Sequence, residues 1–425
     1  MRRWTFRLLA FLVVLVAVAF AGIWLIQIYP RHGSHPPLKL AKGTLAIEHA
    51  RIYVSPGEPP IDDGTVLVRD GIIAAVGKGV PVPADANIVP CDHCIVTAGF
   101  WNAHVHLTEP KWNMANWKSA ATLNPQLADM FLSHGFTTVI DLGSNPADTF
   151  STRRRIEKGE LIGPYIYTAG TGLYPPHGIP FYLKETLPRW IQALMPQPET
   201  PEEATSIVRR NLGSGADVTK LFTGSWVERG HVLPMPVEIA RAAVTESHLN
   251  GKLVFAHPSN LAGTKVAIDS GVDVLAHAAD DTRGVDAQLL QSAINRNMAM
   301  IPTLKMFTTT VTSDPHYMDP MRAEVGLFHK LGGTLIFGTD VGYMMDYSTE
   351  REFVELGRSG LDFKTVLAML TVNPANRLGV SDRKGTVTAG KLADLTILDG
   401  DPASDLTNFS HVRAVVRSGK LIWQR

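Results

Sequence analysis

The stretch Gly99-Phe100-Trp101-Asn102-Ala103-His104-Val105-His106-Leu107 decides how this 425-residue chain is read. As a strand it sends His104 and His106 to the same side, because side chains alternate with a period of two. Seven further short apolar segments follow, at residues 137–141, 164–168, 218–222, 253–257, 274–277, 299–304 and 335–340. Helical stretches separate them, and residues 237–249 and 285–294 carry an apolar face at helical spacing. Strands apolar on both faces that alternate with helices imply a parallel sheet. Eight such units over roughly 250 residues predict a closed (β/α)8 barrel rather than an open sheet.

In such a barrel the chemistry sits at the C-terminal ends of the strands. Those ends hold His104 and His106, Lys220 within an otherwise apolar strand, His257, His277, and Asp340 after Phe337-Gly338-Thr339. Each has an ordinary reading alone: a core histidine, a solvated lysine, a turn aspartate. All six at the strand ends of one barrel point instead to a metal centre. Imidazole and carboxylate ligands together suit Zn²⁺, with Mn²⁺ and other divalent ions compatible.

These motifs resemble the amidohydrolase superfamily, in particular its imidazolonepropionase-related, prolidase-like branch. Residues 99–107 are similar to its first-strand motif and Asp217-Val218-Thr219-Lys220 to its fourth-strand lysine motif. Phe337-Gly338-Thr339-Asp340 is similar to its eighth-strand aspartate motif, and Gly390-Lys391-Leu392-Ala393-Asp394-Leu395 to its C-terminal β segment. The resemblance implies two divalent metal ions. His104, His106 and Asp340 would hold the more buried one and His257 and His277 the other, with Lys220, carboxylated by CO2, bridging both. Two ions ~3.5–4 Å apart lower the pKa of a shared water towards ~7. Asp340 would then carry its proton to the leaving amine.

The same resemblance puts His177, in Tyr174-Pro175-Pro176-His177-Gly178, where a group binds substrate or stabilises an oxyanion; an ordinary loop histidine is the other reading. Tyr343 is a candidate for lining the pocket. Arg229, in the loop after Lys220, would suit a substrate carboxylate or be a surface arginine. The expected reaction is hydrolysis of an amide in a short peptide, such as Xaa-Pro, or in a cyclic amide. Lactone or phosphotriester hydrolysis on the same centre is the alternative. The superfamily's mononuclear deaminases carry a glutamate three residues after the fifth-strand histidine, whereas His257 is followed by Pro258-Ser259-Asn260. A scaffold without catalysis would show a broken ligand set, and here all six positions are filled.

Outside the barrel, residues 44–98 and 381–425 are strand-rich and predict one small β-sandwich domain built from both termini, around a barrel of residues 99–380. Asp70-Gly71 and Ser418-Gly419 mark its hairpins. Residues 29–43 read as a linker. Residues 8–28 are apolar except for Gly22 and Gln27, and Arg2, Arg3 and Arg7 precede them. That is a transmembrane signal anchor with the body outside the cytoplasm, periplasmic or extracellular. Cleavage after Ala19-Phe20-Ala21 is the alternative and gives a secreted protein. Cys91 and Cys94 are a local disulfide or two thiols. Lys+Arg and Asp+Glu are both 40, so the chain lacks the basic excess of a nucleic-acid binder.

Overall fold

The computed structural model describes residues 35–36, 38–310, 314 and 316–425, together with 11–15 and 18. Eight strands build the barrel: β1 (Phe100–Val105), β2 (Phe136–Asp141), β3 (Tyr165–Thr168), β4 (Thr219–Phe222), β5 (Val254–His257), β6 (Val274–Leu275), β7 (Ala299–Met300) and β8 (Thr334–Leu335). All pair in parallel, as two arcs, β1 to β3 and β4 to β8. Backbone hydrogen bonds close both seams. Leu173 N donates to Lys220 O at 2.9 Å on one side; on the other, Ala103 N meets Phe337 O and Asp340 N meets His104 O, each at 2.8 Å. β1 and β2 are buried along their whole length, which is why their residues show no polar alternation. One apolar cluster takes a residue from every strand or its immediate extension, among them Ala103, Ile140, Phe255, Ala276 and Ile301, as a filled barrel interior does.

The last three strands are shorter than the sequence predicts. β7 stops at Met300, and Leu304 already opens a helix to Thr310. Thr303 and Asp340 turn the chain through left-handed backbone, at φ 49° and 59°. A β-branched residue tolerates that region badly, so the turns are held by their surroundings. Gly342 faces the same crowding: a Cβ there would lie 1.7 Å from His106 O, so only glycine lets the β8 loop lie against β1.

Strands Thr44–Ile52, Ile61–Arg69, Ile72–Gly77, Asn87–Ile88 and Ile95–Ala98 join Leu395–Leu398, Val412–Arg417 and Lys420–Gln424 in a single eight-stranded sheet. The junction of the two chain ends is the antiparallel pair Ile95–Ala98 with Leu395–Leu398. Both predicted hairpin turns have two successive positive φ angles, 47° and 84° at Asp70-Gly71 and 50° and 78° at Ser418-Gly419. The sheet curls until these turns meet. Ala393 N donates to Gly71 O and Gly419 N to Ala393 O, at 2.9 and 3.0 Å. The strands therefore hydrogen-bond as one curled sheet, where a sandwich of two separate sheets was expected. Cys91 and Cys94 form a disulfide.

Between sheet and barrel, Lys384 Nζ pairs with Asp394 Oδ2 at 2.8 Å, both side chains 6% exposed. The ammonium also sits 3.6 Å from the centre of the Tyr165 ring. Removing one member of a buried pair strands the other charge, at a cost of about 3–5 kcal/mol. Lys384→Met is expected to lower unfolding stability by about that amount in a denaturant titration; a change below 1 kcal/mol would show the pair to be dispensable.

Among the described residues no helix is long and apolar enough to cross a membrane. Most of the apolar run at residues 8–28 lies outside the described residues, as do residues 29–34 of the linker. Within the run, residues 11–15 are helical and keep their apolar side chains exposed. His35 docks the linker on the barrel, its ring bound to Glu157 and, at 2.9 Å, to Asp217, two residues ahead of β4.

Candidate metal centre

The strand ends bring the predicted ligands together. His104 Nε2 and His106 Nε2 lie 3.4 and 3.1 Å from Asp340 Oδ1. Ligand atoms of His104, His277 and Asp340 all fall within 4.8 Å of one another. The His277 ring centre is 4.4 Å from that of His104 and 4.5 Å from that of His257, which stacks on Phe222 at 5.0 Å. Lys220 is 1% exposed. Its charge is felt by His104, His257 and His277.

Hydrogen bonds on the far side of three rings set their tautomers. His104 Nδ1 meets Ala276 O and His106 Nδ1 meets Gly143 O, both at 2.7 Å. A carbonyl only accepts, so both Nδ1 atoms carry the proton. His277 Nδ1 meets Thr303 Oγ1 at 2.7 Å, and that hydroxyl gives its one hydrogen to Pro302 O at 2.8 Å. Nδ1 of His277 is thus also a donor. In all three rings this leaves Nε2 as the atom turned to the cluster. The strained turn at Thr303 has a purpose in this arrangement: it aims the hydroxyl.

Electrostatics agree for three of the four rings. Burial, helped by Lys220 and by neighbouring rings, holds His104, His257 and His277 well below the usual imidazole range, so they stay neutral. Burial works against a charged His106 too, but Asp340 at its Nε2 holds its pKa up. Burial pushes the Lys220 amine down to about 7, with only Asp340 opposing. A lysine half neutral near pH 7 can add CO2 and become an anionic carbamate.

Three buried polar atoms, His104 Nε2, Lys220 Nζ and Asp340 Oδ1, make no hydrogen bond among the described residues. Such atoms are costly unless something satisfies them. Imidazole nitrogens and carboxylate oxygens aimed at a common point suit a divalent cation, so the residues fit a metal centre.

Several supporting residues escaped the sequence reading. Asn102 Oδ1 accepts from His104 N and Thr339 N, and its Nδ2 donates to Thr339 Oγ1 at 2.7 Å, tying β1 to the β8 loop that carries Asp340. Asn102 shares a strand face with His104 and His106, and that parity was a usable signal. Asp141, at the end of β2, takes hydrogen bonds from Ser144, Thr149 and Thr168 and sits 4.0 Å from His106 Nδ1.

His177 and Arg229 stay outside the cluster. His177 is in a left-handed turn (φ 56°), its side chain 87% exposed and 3.9 Å from Glu199. Arg229 is 77% exposed, 3.5 Å from Glu185 and 4.8 Å over the Phe181 ring. Both are turned outward by tight turns at loop tips. Tyr343 is 44% exposed and meets Tyr182 edge to face at 5.5 Å. Burial, and after it the charge of Asp340, push its phenol above the usual tyrosine range.

Comparison with known proteins gives the same result. The amidohydrolase family model matches residues 95–422. The dihydroorotase of Geotalea daltonii is 23% identical over 384 residues, covering 79% of this chain and 84% of that protein. The imidazolonepropionase of Thermoplasma volcanium is 24% identical over 151 residues, covering 33% of this chain and 37% of that protein. A crystal structure of a Xaa-Pro dipeptidase with methionine in its active site superposes with a TM-score of 0.76 at 22% identity, over 90% of this chain and all of that one. With its metal-fitted cluster at the mouth of a closed barrel, the chain belongs to the amidohydrolase family, the metal-dependent hydrolases that act on carbon–nitrogen bonds.

Proposed function

We propose that the protein hydrolyses the amide bond of a short peptide, Xaa-Pro among them, at a centre of two divalent cations, Zn²⁺ in the first instance. The observation that carries this reading is the set of three imidazoles with Nδ1 tied back and Nε2 turned to the cluster, beside a Lys220 amine and an Asp340 oxygen that make no hydrogen bond. His104, His106 and Asp340 would hold one cation, His257 and His277 the other, and Lys220 as its carbamate would span both. Bound there, the cations would supply a hydroxide-like nucleophile at neutral pH and polarise the scissile carbonyl.

The protein's own groups do the rest. Asp340 takes the proton of the attacking water and passes it to the amine as the C–N bond breaks. Asn102 and Thr339 keep the loop bearing Asp340 against β1, so the carboxylate does not have to be ordered at each turnover. The likeness to a Xaa-Pro dipeptidase supports a peptide substrate, and the dihydroorotase relative extends the panel to cyclic amides. We further propose that residues 1–28 anchor the enzyme in a membrane with its body outside the cytoplasm. His35 fastens the linker at the N-terminal end of β4, so the mouth opens on the opposite face.

The test is elemental analysis of the protein together with a panel of dipeptides, cyclic amides, a lactone and a phosphotriester. About two divalent ions per chain and turnover of dipeptides are expected. A folded, metal-supplied protein that retains no metal would overturn the reading, and turnover of the lactone or phosphotriester alone would replace the peptide. His177→Ala and Arg229→Ala are expected to stay within about threefold of wild-type kcat/KM, because both side chains lie in water. A loss above 30-fold in either would bring that loop into the site.

A further inference from the structure

Four side chains from four loops at the barrel mouth stand outside the proposed ligand set, in two contacting pairs. Tyr182 follows β3, Trp226 follows β4, Asp280 follows β6 and Tyr343 follows β8. Trp226 Nε1 donates to Asp280 Oδ2 at 2.6 Å, and the two tyrosine rings meet edge to face. Both phenols feel the charge of Asp280 and of Asp340, so the tyrosine pair lies within reach of both carboxylates.

Asp280 is half-buried, and burial pushes its carboxyl up to about 7, against the hydrogen bond from Trp226. Among the described residues no cation pairs with it. Arg283, on the same loop, is spent on Asp281 through two hydrogen bonds of 2.7 Å. Arg229, on the facing hairpin, turns away to Glu185 and Phe181. A desolvated carboxylate with aromatic side chains around it is complementary to a positive charge, which would offset the cost of its burial. The mouth thus offers an anionic and aromatic surface, and Arg229 is the surface arginine of its two readings.

We propose that Asp280, with Trp226, Tyr182 and Tyr343, forms a subsite for a protonated nitrogen of the substrate, an ammonium or guanidinium group. The inference rests on the reading of the substrate as a short peptide, whose α-amine or basic side chain would supply that nitrogen.

The experiment is calorimetric titration of the zinc-supplied full-length protein with L-lysine, L-norleucine and hexanoate, none of which has an amide bond to cleave. A charge-assisted contact predicts about 10- to 100-fold tighter binding when the recognised nitrogen is present. Preference for norleucine over hexanoate identifies the α-ammonium; preference for lysine over norleucine identifies the side chain. In Asp280→Asn, with metal content equal to wild type as the check on folding, the ratio should fall towards one. Equal affinities, no binding, or a preference that survives Asp280→Asn would overturn the subsite. A preference that is intact in a protein hydrolysing no peptide would instead overturn the proposed reaction and leave the subsite standing.

Discussion

Asp340→Asn is expected to lower kcat/KM by about 10³-fold or more, at the upper end of what a positioned acid–base group contributes, while most of the bound metal remains. Asparagine keeps an oxygen donor where Asp340 Oδ1 now lies, 3.1 Å from His106 Nε2 and 3.4 Å from His104 Nε2. It cannot take a proton from water. The amide also fits the backbone that Asp340 occupies, since Asn is among the residues that tolerate a φ of 59°. Steady-state kinetics on the best dipeptide, with elemental analysis of the same preparation, measures both quantities. Full activity would remove Asp340 from the proton path. Activity and metal lost together would make it a ligand first.

Lys220→Met should abolish activity and yet produce a more robust metal-free protein. The proposed bridging carbamate would be lost, so metal content is expected to fall from about two per chain to one or fewer, and kcat/KM by at least ~10³-fold. Methionine matches the length of the lysine stem and replaces an amine that is 1% exposed and lacks a hydrogen-bond partner. Removing an unpaired buried polar group of that kind is worth roughly 1–3 kcal/mol. Metal-stripped Lys220→Met is therefore expected to unfold at higher denaturant concentration than metal-stripped wild type, as for other sites where function costs stability. A variant that keeps two metals would refute the bridge. One that is less stable without metal would show the amine to be satisfied by groups other than a cation.

The meeting of six residues at one mouth was legible because barrel geometry needs little information. Once eight apolar segments alternate with helices, their C-terminal ends must share one face, and His104, His106, Lys220, His257, His277 and Asp340 arrive there from sequences far apart. The length of each strand was less legible. The readings through Leu304 and Asp340 ran past strands that end at Met300 and Leu335, because the turns at Thr303 and Asp340 depend on neighbours, not on local propensity. The same limit explains His177 and Arg229. A loop histidine after one strand and an arginine after the next look like pocket groups in one dimension, but the turn on which each sits aims it into water.

The amino-acid sequence by itself determined the barrel, the union of the two chain ends and the six residues at the mouth. These follow from periodicity, turn chemistry and strand parity, which are properties of short segments. Tertiary structure alone decided which nitrogen of each histidine carries its proton, since the partners Ala276, Gly143 and Thr303 lie 172, 37 and 26 residues from the rings they hold. It alone decided that Asp280 meets Trp226 while Arg229 turns away to Glu185. Burial and the partner across a loop set the charge a group presents, and neither is written in the residues beside it.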